Sequence, residues 1–488
     1  MRVLLLLFGS VIFSLAAIGQ DSSHFLPNTA YDIFPGDYAD PSIVRDGNDY
    51  YITHSTSGLL IWHSTDLLHW TPVARPLPGY SPDVWAPELL IDKGRFYIYY
   101  PLKGKVFVIS ADSLKGVWSK PAYVGIDGID PGILTDENGK RFIYMDAGRV
   151  APLSKNGLKG SGPLRTVYSG WKYPEDWVVE CFCLESPKLV FHEGYYHMIS
   201  AQGGTSGPGT SHMAVSARSR TAEGPWENSP YNPIVHTWKN TDEYTSKGHG
   251  TIFSAADGYW YIVYHAYKNN EISKGRHTLI ERIQWTTDNW FQLSSHPDTA
   301  TRYEVIKNTR PGSDTFSSGT PNLQWLFAGK GMPANCRMSG NRLIVPSADP
   351  SVKSLSVITA DNSYTASIQF KLSGDATAGL GAFYNASHYI ALSIRSGKLV
   401  VLRDGRDAGP VIETRDLRFI KMRMNRSDLS FLYSSDGKIW KTYPNSFEVS
   451  GFQTNVLGDF GSLRPTMFIK GMGDLIVEAF HYNPETID

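Results

Sequence analysis

Apolar and polar positions along the chain repeat one phrase five times. A small or charged residue precedes a short apolar run, a glycine-containing turn follows, and an aromatic-rich run closes the phrase. The copies are 40-DPSIVRDGNDYYITHST, 86-APELLIDKGRFYIYYPL, 130-DPGILTDENGKRFIYMDAG, 185-ESPKLVFHEGYYHMISAQGG and 249-HGTIFSAADGYWYIVYHAY. Their turns fall at Asp46-Gly47, Lys93-Gly94, Asn138-Gly139, Glu193-Gly194 and Asp257-Gly258. A polar-glycine pair between two strand-like runs is a β-hairpin signal. Long amphipathic helical stretches are missing between the copies.

A second phrase recurs outside these hairpins, in 63-HSTDLLHWTPV, 110-SADSLKGVWSKP and 216-SARSRTAEGPWENSP. It adds a further strand and a Trp-ended loop to each unit. Successive hairpins start about 44 to 64 residues apart, which suits a four-stranded propeller blade. Five copies predict a five-bladed β-propeller over residues 20–310; a generic antiparallel sandwich is the alternative. After Arg310 the character changes. A polar stretch, 307-KNTRPGSDTFSSGTPN, leads into short alternating runs such as 364-YTASIQFKL, 388-HYIALSI, 397-GKLVVLRDG and 418-RFIKMRMN, then 431-FLYSSDGKIWKTY, another hairpin. This spacing predicts a β-sandwich over 311–488. The fold class is therefore all-β, a five-bladed β-propeller followed by a β-sandwich domain.

Composition narrows the partners. Among 488 residues, 46 Lys plus Arg balance 47 Asp plus Glu. A near-neutral chain lacks the basic surface that tracks phosphates, so nucleic acid is excluded as an expected partner. Aromatics reach 13%, which fits both strand cores and sugar-stacking surfaces. The N-terminus, MRVLLLLFGSVIFSLAAIG, has an early Arg, an apolar run and small residues at its end. It reads as a signal peptide over 1–19, cut near Gly19–Gln20, with an uncleaved anchor helix as the alternative. The protein is then secreted or periplasmic, with no membrane span after cleavage. Three cysteines, Cys181, Cys183 and Cys336, are too few for a disulfide framework. Cys181 and Cys183, two apart on an expected strand, would point to one face with poor geometry for a bond. They are expected to be inert thiols.

Chemistry is expected where the inner strands begin. Asp40, Asp130, Glu185 and His249 stand at or beside the start of four of the five copies. Equivalent positions of consecutive blades face one axis, so these groups should converge. Buried like charges repel and raise a carboxyl pKa, and such clusters mark functional sites. Taken singly, each acid reads equally as a turn cap or a surface carboxylate. Glu180 is a rival to Glu185. Five residues earlier, it would lie on the opposite strand face. Glu88 reads either as a pocket residue or as a structural one.

These residues carry a resemblance. The order Asp40-Pro41, Val84-Trp85-Ala86-Pro87, Ile129-Asp130-Pro131, Glu185-Ser186-Pro187, Gly248-His249-Gly250 resembles glycoside hydrolase family 43 over about residues 28–300. That family commonly has Glu-Gly-Pro where this chain has Glu-Ser-Pro. The tail around 431-FLYSSDGKIW resembles the concanavalin-like sandwich often appended to such enzymes. The resemblance implies a five-bladed propeller that hydrolyses glycosides with inversion. It assigns Asp40 as general base, Glu185 as general acid and Asp130 as the group that keeps the pKa of Glu185 high. An inverting enzyme needs one ionised and one protonated carboxyl at the same pH, with a water between.

Trp85 is expected either to floor the sugar site or to join the core. Arg276, in 275-GRHTLIERIQW, resembles a Gly-Arg-Gln family segment with His277 in place of Gln, and is expected to bind substrate or to pair with an acid. The resemblance implies that His249 contacts, through water, a structural calcium near the propeller axis, with a purely structural histidine as the alternative; no cofactor is required. The expected partner is an oligo- or polysaccharide. The activity expected first is exo-acting α-L-arabinofuranosidase on plant polysaccharide side chains, with β-D-xylosidase or galactosidase of the same family as alternatives. A non-catalytic glycan-binding propeller and a lectin role confined to the sandwich are the readings from other classes.

Overall fold

The computed structural model describes residues 30–77, 83–294, 309–330 and 332–485. The expected signal peptide lies outside these. Five antiparallel sheets form the propeller. Their inner strands are Ser42–Asp46, Glu88–Asp92, Gly132–Thr135, Glu185–His192 and Tyr244–Ser254. Each pairs with the aromatic-rich strand that follows it, so the repeated phrase is the two inner strands of each blade. All five hairpin turns carry the predicted glycine with φ between 61° and 85°, a conformation that glycine adopts without steric cost. The second phrase supplies third strands, Ile61–Ser64, Lys105–Ala111 and Met213–Ser219.

The fifth blade is closed from the other end of the chain. Tyr31–Phe34 pairs with Arg276–Trp285 as the outer strand of that blade. Circular closure leaves the ring without an open seam, the usual remedy for exposed sheet edges. Between blades, interleaved apolar faces make separate cores. One holds Tyr99, Val108, Ile133 and Ile143. Another holds Ile199, Ile252, Ile262 and Leu279.

The second domain is one large, curled antiparallel sheet whose faces enclose a core including Trp325, Tyr364, Phe370, Phe431 and Phe480. Its spine is Arg464–Pro484, a 21-residue strand that pairs with three others. Leu326 and Ile358 of this domain pack into the propeller core around Phe34, Trp62 and Trp70. Arg464 Nη2 reaches Asp37 Oδ2 at 2.6 Å. The two domains therefore share buried apolar surface and an ion pair, which fixes the sandwich against one end of the propeller. Among the described residues, no helix is long and apolar enough to cross a membrane.

Candidate active site

A backbone kink recurs where each inner strand enters the ring. Asp40, Ala86, Asp130, Ser186 and His249 all have left-handed φ, between 33° and 55°. Four of them precede proline, which disfavours helical conformations, and non-glycine residues in this region cost roughly 1–3 kcal/mol. A strained feature repeated five times is set by the fold. It holds five residues at equivalent places around the axis. Glu185 sits one residue ahead of this position, and Ser186 is the buried equivalent of Asp40 and Asp130.

Asp40, Asp130, Glu185, His249, Arg276 and Trp85 all line one pocket of about 340 Å³. Carboxylate oxygens of Asp130 and Glu185 and a ring nitrogen of His249 lie within 4.8 Å of one another. Asp40 and Asp130 are buried, and Glu185 is half-buried at the pocket wall. Trp85 is 54% exposed, so it is a wall of the opening and not a core residue.

Asp40 is the most heavily bound group. Its Oδ1 accepts from Arg276 Nη1 at 3.1 Å and lies 3.0 Å from His265 Nδ1 and 3.3 Å from His249 Nδ1. Ser55 Oγ donates to its other oxygen and accepts from Ala86 N at 2.7 Å. Burial pushes the Asp40 carboxyl up. Arg276, His249 and His265 outweigh burial and hold it well below the usual carboxylate range. On the other side of the pocket burial outweighs the relief from Arg276 and Lys188. Burial and the Asp40 charge push Asp130 up to about 7. Burial, Asp130 and Asp40 hold Glu185 well above the usual carboxylate range. One pocket thus pushes its carboxyls in opposite directions, Asp40 toward the ionised form and Glu185 toward the protonated one.

Beneath the pocket, Lys188 Nζ donates to Glu88 Oε2 at 2.7 Å and to Pro131 O at 3.2 Å. Ser42 Oγ also donates to Glu88. Glu88 is therefore a structural partner that ties three blades together, and not a pocket group. Gly132 is needed here, because a side-chain Cβ would overlap Pro187 O of the next blade.

Calcium was tested against the residues around His249. Asp40, His249 and His265 can present three ligand atoms within 4.8 Å of one another. Two are imidazole nitrogens, and the single carboxylate already serves Arg276. Calcium takes 6–8 oxygen ligands, so this set does not suit direct ligation of it; Asp130, Glu185 and His249 form a second group with two carboxylates. Burial also lowers the imidazoles of both His249 and His265, that of His249 well below its ordinary range. Their Nε2 atoms are buried without a protein partner, which suits ordered water at the axis.

Two sequence expectations are corrected. Cys181 and Cys183 form a disulfide. They do not lie on a strand: residues 181–184 are irregular, and Cys183 turns left-handed with φ 36°. The turn brings two same-segment side chains together, with the Cα atoms 5.3 Å apart. The same irregularity removes the facing argument for Glu180. It lines the same pocket as Glu185, where Ser206 Oγ donates to its Oε1 at 3.0 Å. A Cβ at Gly204 would overlap its carboxylate.

Several site residues carry no repeat signal. Ser55 follows the aromatic strand of the first copy and His265 lies within that of the last, inside phrases read for hairpins alone. Phe460 belongs to the other domain, yet it lines the pocket and its ring lies 4.8 Å from the Arg276 guanidinium. Sequence separation hides such a contact. A larger cleft of about 460 Å³ lies between the domains, lined by Trp118, Leu323, Phe327 and Met338. Among the described residues its lining has no carboxylate.

Comparison with known proteins agrees with this geometry. The profile of glycosyl hydrolases family 43 matches residues 32–291, and that of the beta xylosidase C-terminal concanavalin A-like domain matches 313–468. Xylosidase/arabinosidase 43B of Humicola insolens is 30% identical over 62% of this chain and 63% of its own length. The chain therefore matches a little under two-thirds of that relative. A xylan 1,3-beta-xylosidase of a Vibrio species is 25% identical over 84% of this chain and 89% of that protein. The crystal structure of the GH43 protein BlXynB from Bacillus licheniformis superposes with a TM-score of 0.81 at 25% identity, covering 94% of this chain and all of that one. With a five-bladed propeller, the carboxyls of Asp40, Asp130 and Glu185 gathered in one pocket and a family match over more than half its length, the chain belongs to glycosyl hydrolase family 43.

Proposed function

We propose that the protein is an inverting exo-glycosidase that removes a terminal pentose from a plant-type polysaccharide side chain. The observation that carries this reading is the split of protonation across one small pocket. Asp40 is held ionised by Arg276 and two histidines, while Glu185 is held protonated by burial and by Asp130. In this reading Asp40 takes a proton from the attacking water, and Glu185 gives its proton to the leaving oxygen. Asp130 is a positioning residue that sustains the proton on Glu185. Inversion follows because water attacks the face opposite the departing group.

Exo action is supported by the pocket's small volume and by Phe460, which walls it from the second domain. Arg276 and Trp85 would bind the terminal sugar, the one by donating to a hydroxyl and the other by ring packing. For the sugar itself, one relative's name pairs xylosidase with arabinosidase, and a relative that matches over most of this chain is named a xylosidase. This favours testing β-D-xylosides alongside the α-L-arabinofuranosides expected first from the sequence.

Proton NMR of the first-formed anomer on a panel of aryl pentosides tests sugar and stereochemistry together. A retained anomer, or no turnover of any pentoside, would refute the reading. The apolar segment over residues 1–19 supports export; N-terminal sequencing of the mature protein checks it.

A further inference from the structure

The rim of the pocket on the fourth-blade side carries aromatic rings that the chemistry above does not use. Trp177 stacks on His236 with centroids 4.5 Å apart and planes 9° from parallel. Trp238 stands edge-on to both rings, at 5.8 Å and 4.8 Å. Trp171 meets Trp177 at 6.0 Å, and Tyr173 stacks on Phe182 at 6.1 Å. Trp238 is 65% exposed and Phe182 44% exposed. Large apolar rings left in water in one patch mark an interaction site.

Two further observations point to the ligand. First, the patch is continuous with the pocket. Phe182 lies between Cys181 and Cys183, which line it. Gly203 N donates to Phe182 O at 3.0 Å, and Glu180 N donates to Ser211 Oγ at 2.8 Å. A ring nitrogen of His236 lies 2.8 Å from Thr210 O. The aromatic loops are thus bonded to the 203–212 segment that forms part of the pocket wall. Second, the patch is pre-formed and its rings carry no charge. Trp238 N and Lys239 N both donate to Asp242 Oδ2, fixing the turn that presents Trp238. Lys172 pairs with Glu175. A rigid set of uncharged rings suits a neutral ligand with apolar faces, which is what a sugar ring presents.

Direction follows from Glu185. A general acid faces the leaving oxygen, so the rest of the glycan departs over the wall that bears Glu185. That wall is the fourth blade, which also bears the rings. We propose that the rim formed by Trp177, His236, Trp238 and Phe182 binds the neutral polysaccharide chain from which the terminal sugar is cleaved. This rests on the assignment of Glu185 as the acid, and it extends the proposed function from a one-sugar pocket to a polymer-binding surface.

The test uses the full chain carrying Asp40→Asn, expected to slow turnover by roughly 10²–10⁴-fold. It is run by affinity electrophoresis in gels with soluble arabinoxylan, xyloglucan or arabinan. The expected result is retardation by at least one of these. Adding Trp238→Ala, a change at an exposed site, should weaken that affinity by about tenfold, and adding Trp177→Phe as well should weaken it further. Equal retardation with and without Trp238 overturns the proposal and points the rim to a protein partner. No retardation by any of the three glycans overturns it as well. Because binding is read without turnover, the two readings fail separately. A chain that binds polymer through Trp238 but cleaves no pentoside refutes the activity alone. A chain that cleaves aryl pentosides but binds no polymer refutes the platform alone.

Discussion

Arg276 Nη1 donates to Asp40 Oδ1 across 3.1 Å, joining the last blade to the start of the first. Both groups are nearly enclosed, so this pair sets the charge of Asp40 more than solvent does. Replacing Arg276 with Met removes the strongest force holding the Asp40 pKa down. Burial then acts unopposed by that charge, so the Asp40 pKa rises. The acid limb of the pH profile for kcat/KM should move to higher pH, and activity at neutral pH should fall. An acid limb that stays in place would show that Asp40 does not set it.

Asp40→Asn and Glu185→Gln should each lower turnover by roughly 10²–10⁴-fold, the usual range for losing a general base or acid. The two should differ with leaving group. A good aryl leaving group needs little protonation, so Glu185→Gln should lose less on activated aryl glycosides than on oligosaccharides. Asp40→Asn should lose equally on both. Circular dichroism and melting curves check that each variant folds.

Asp130→Asn removes a charge that helps keep Glu185 protonated. The Glu185 pKa should fall, and the basic limb of the pH profile should move to lower pH. Stability should respond in the opposite sense to an ordinary carboxylate. Asp130 rises from 3.8 to about 7 on folding, so the native state holds a proton that the unfolded chain releases. Its contribution is full below about pH 4 and is lost as pH rises through about 7. The Asn variant lacks this loss, so its melting temperature should exceed that of the parent at pH 7 and approach it at pH 4. Thermal melts across that window decide the matter.

Reduction of Cys181–Cys183, or Cys181→Ser with Cys183→Ser, should change catalysis more than stability. The bond closes a very short loop, worth about 1–2 kcal/mol in the chain-entropy account. It also shapes the wall beside Glu185. We expect KM to rise severalfold with a shift of only a few degrees in melting temperature. Unchanged kinetics after verified reduction would show that the loop holds its shape without the bond.

Phe460→Ala should open the pocket from the sandwich side. Phe460 is 43% exposed, so little core is lost and the melting temperature should barely change. The loss of a ring against Arg276 should raise KM for small pentosides. Kinetics with an intact fold would then tie the second domain to the site.

Much of this site was legible before any fold was drawn. Asp40, Asp130 and His249 share a phrase with their neighbours, and a repeated phrase in a ring becomes a repeated place around an axis. Glu185 was legible for the same reason, although it sits one residue off the common position. Trp85 and Arg276 were legible by resemblance, but their alternatives were open until exposure and the Asp40 contact were seen. Glu180 and the two cysteines were misread because strand alternation was applied to residues 180–184. The backbone there is irregular, and alternation has no force without a pleat.

The amino-acid sequence alone determined the local units: five hairpins with their glycine turns, the polar break before residue 311, and a second all-β domain. These depend on short-range spacing and on turn residues that few other conformations accept. Only the tertiary structure decided the closure of the ring by Tyr31–Phe34, the Cys181–Cys183 bond, the intrusion of Phe460 and the opposite directions in which the carboxyls of Asp40 and Glu185 are pushed. Each of these depends on which surfaces meet in space or on how an irregular loop turns. Burial and through-space charge follow packing distance, and packing distance between remote segments is not written in local spacing.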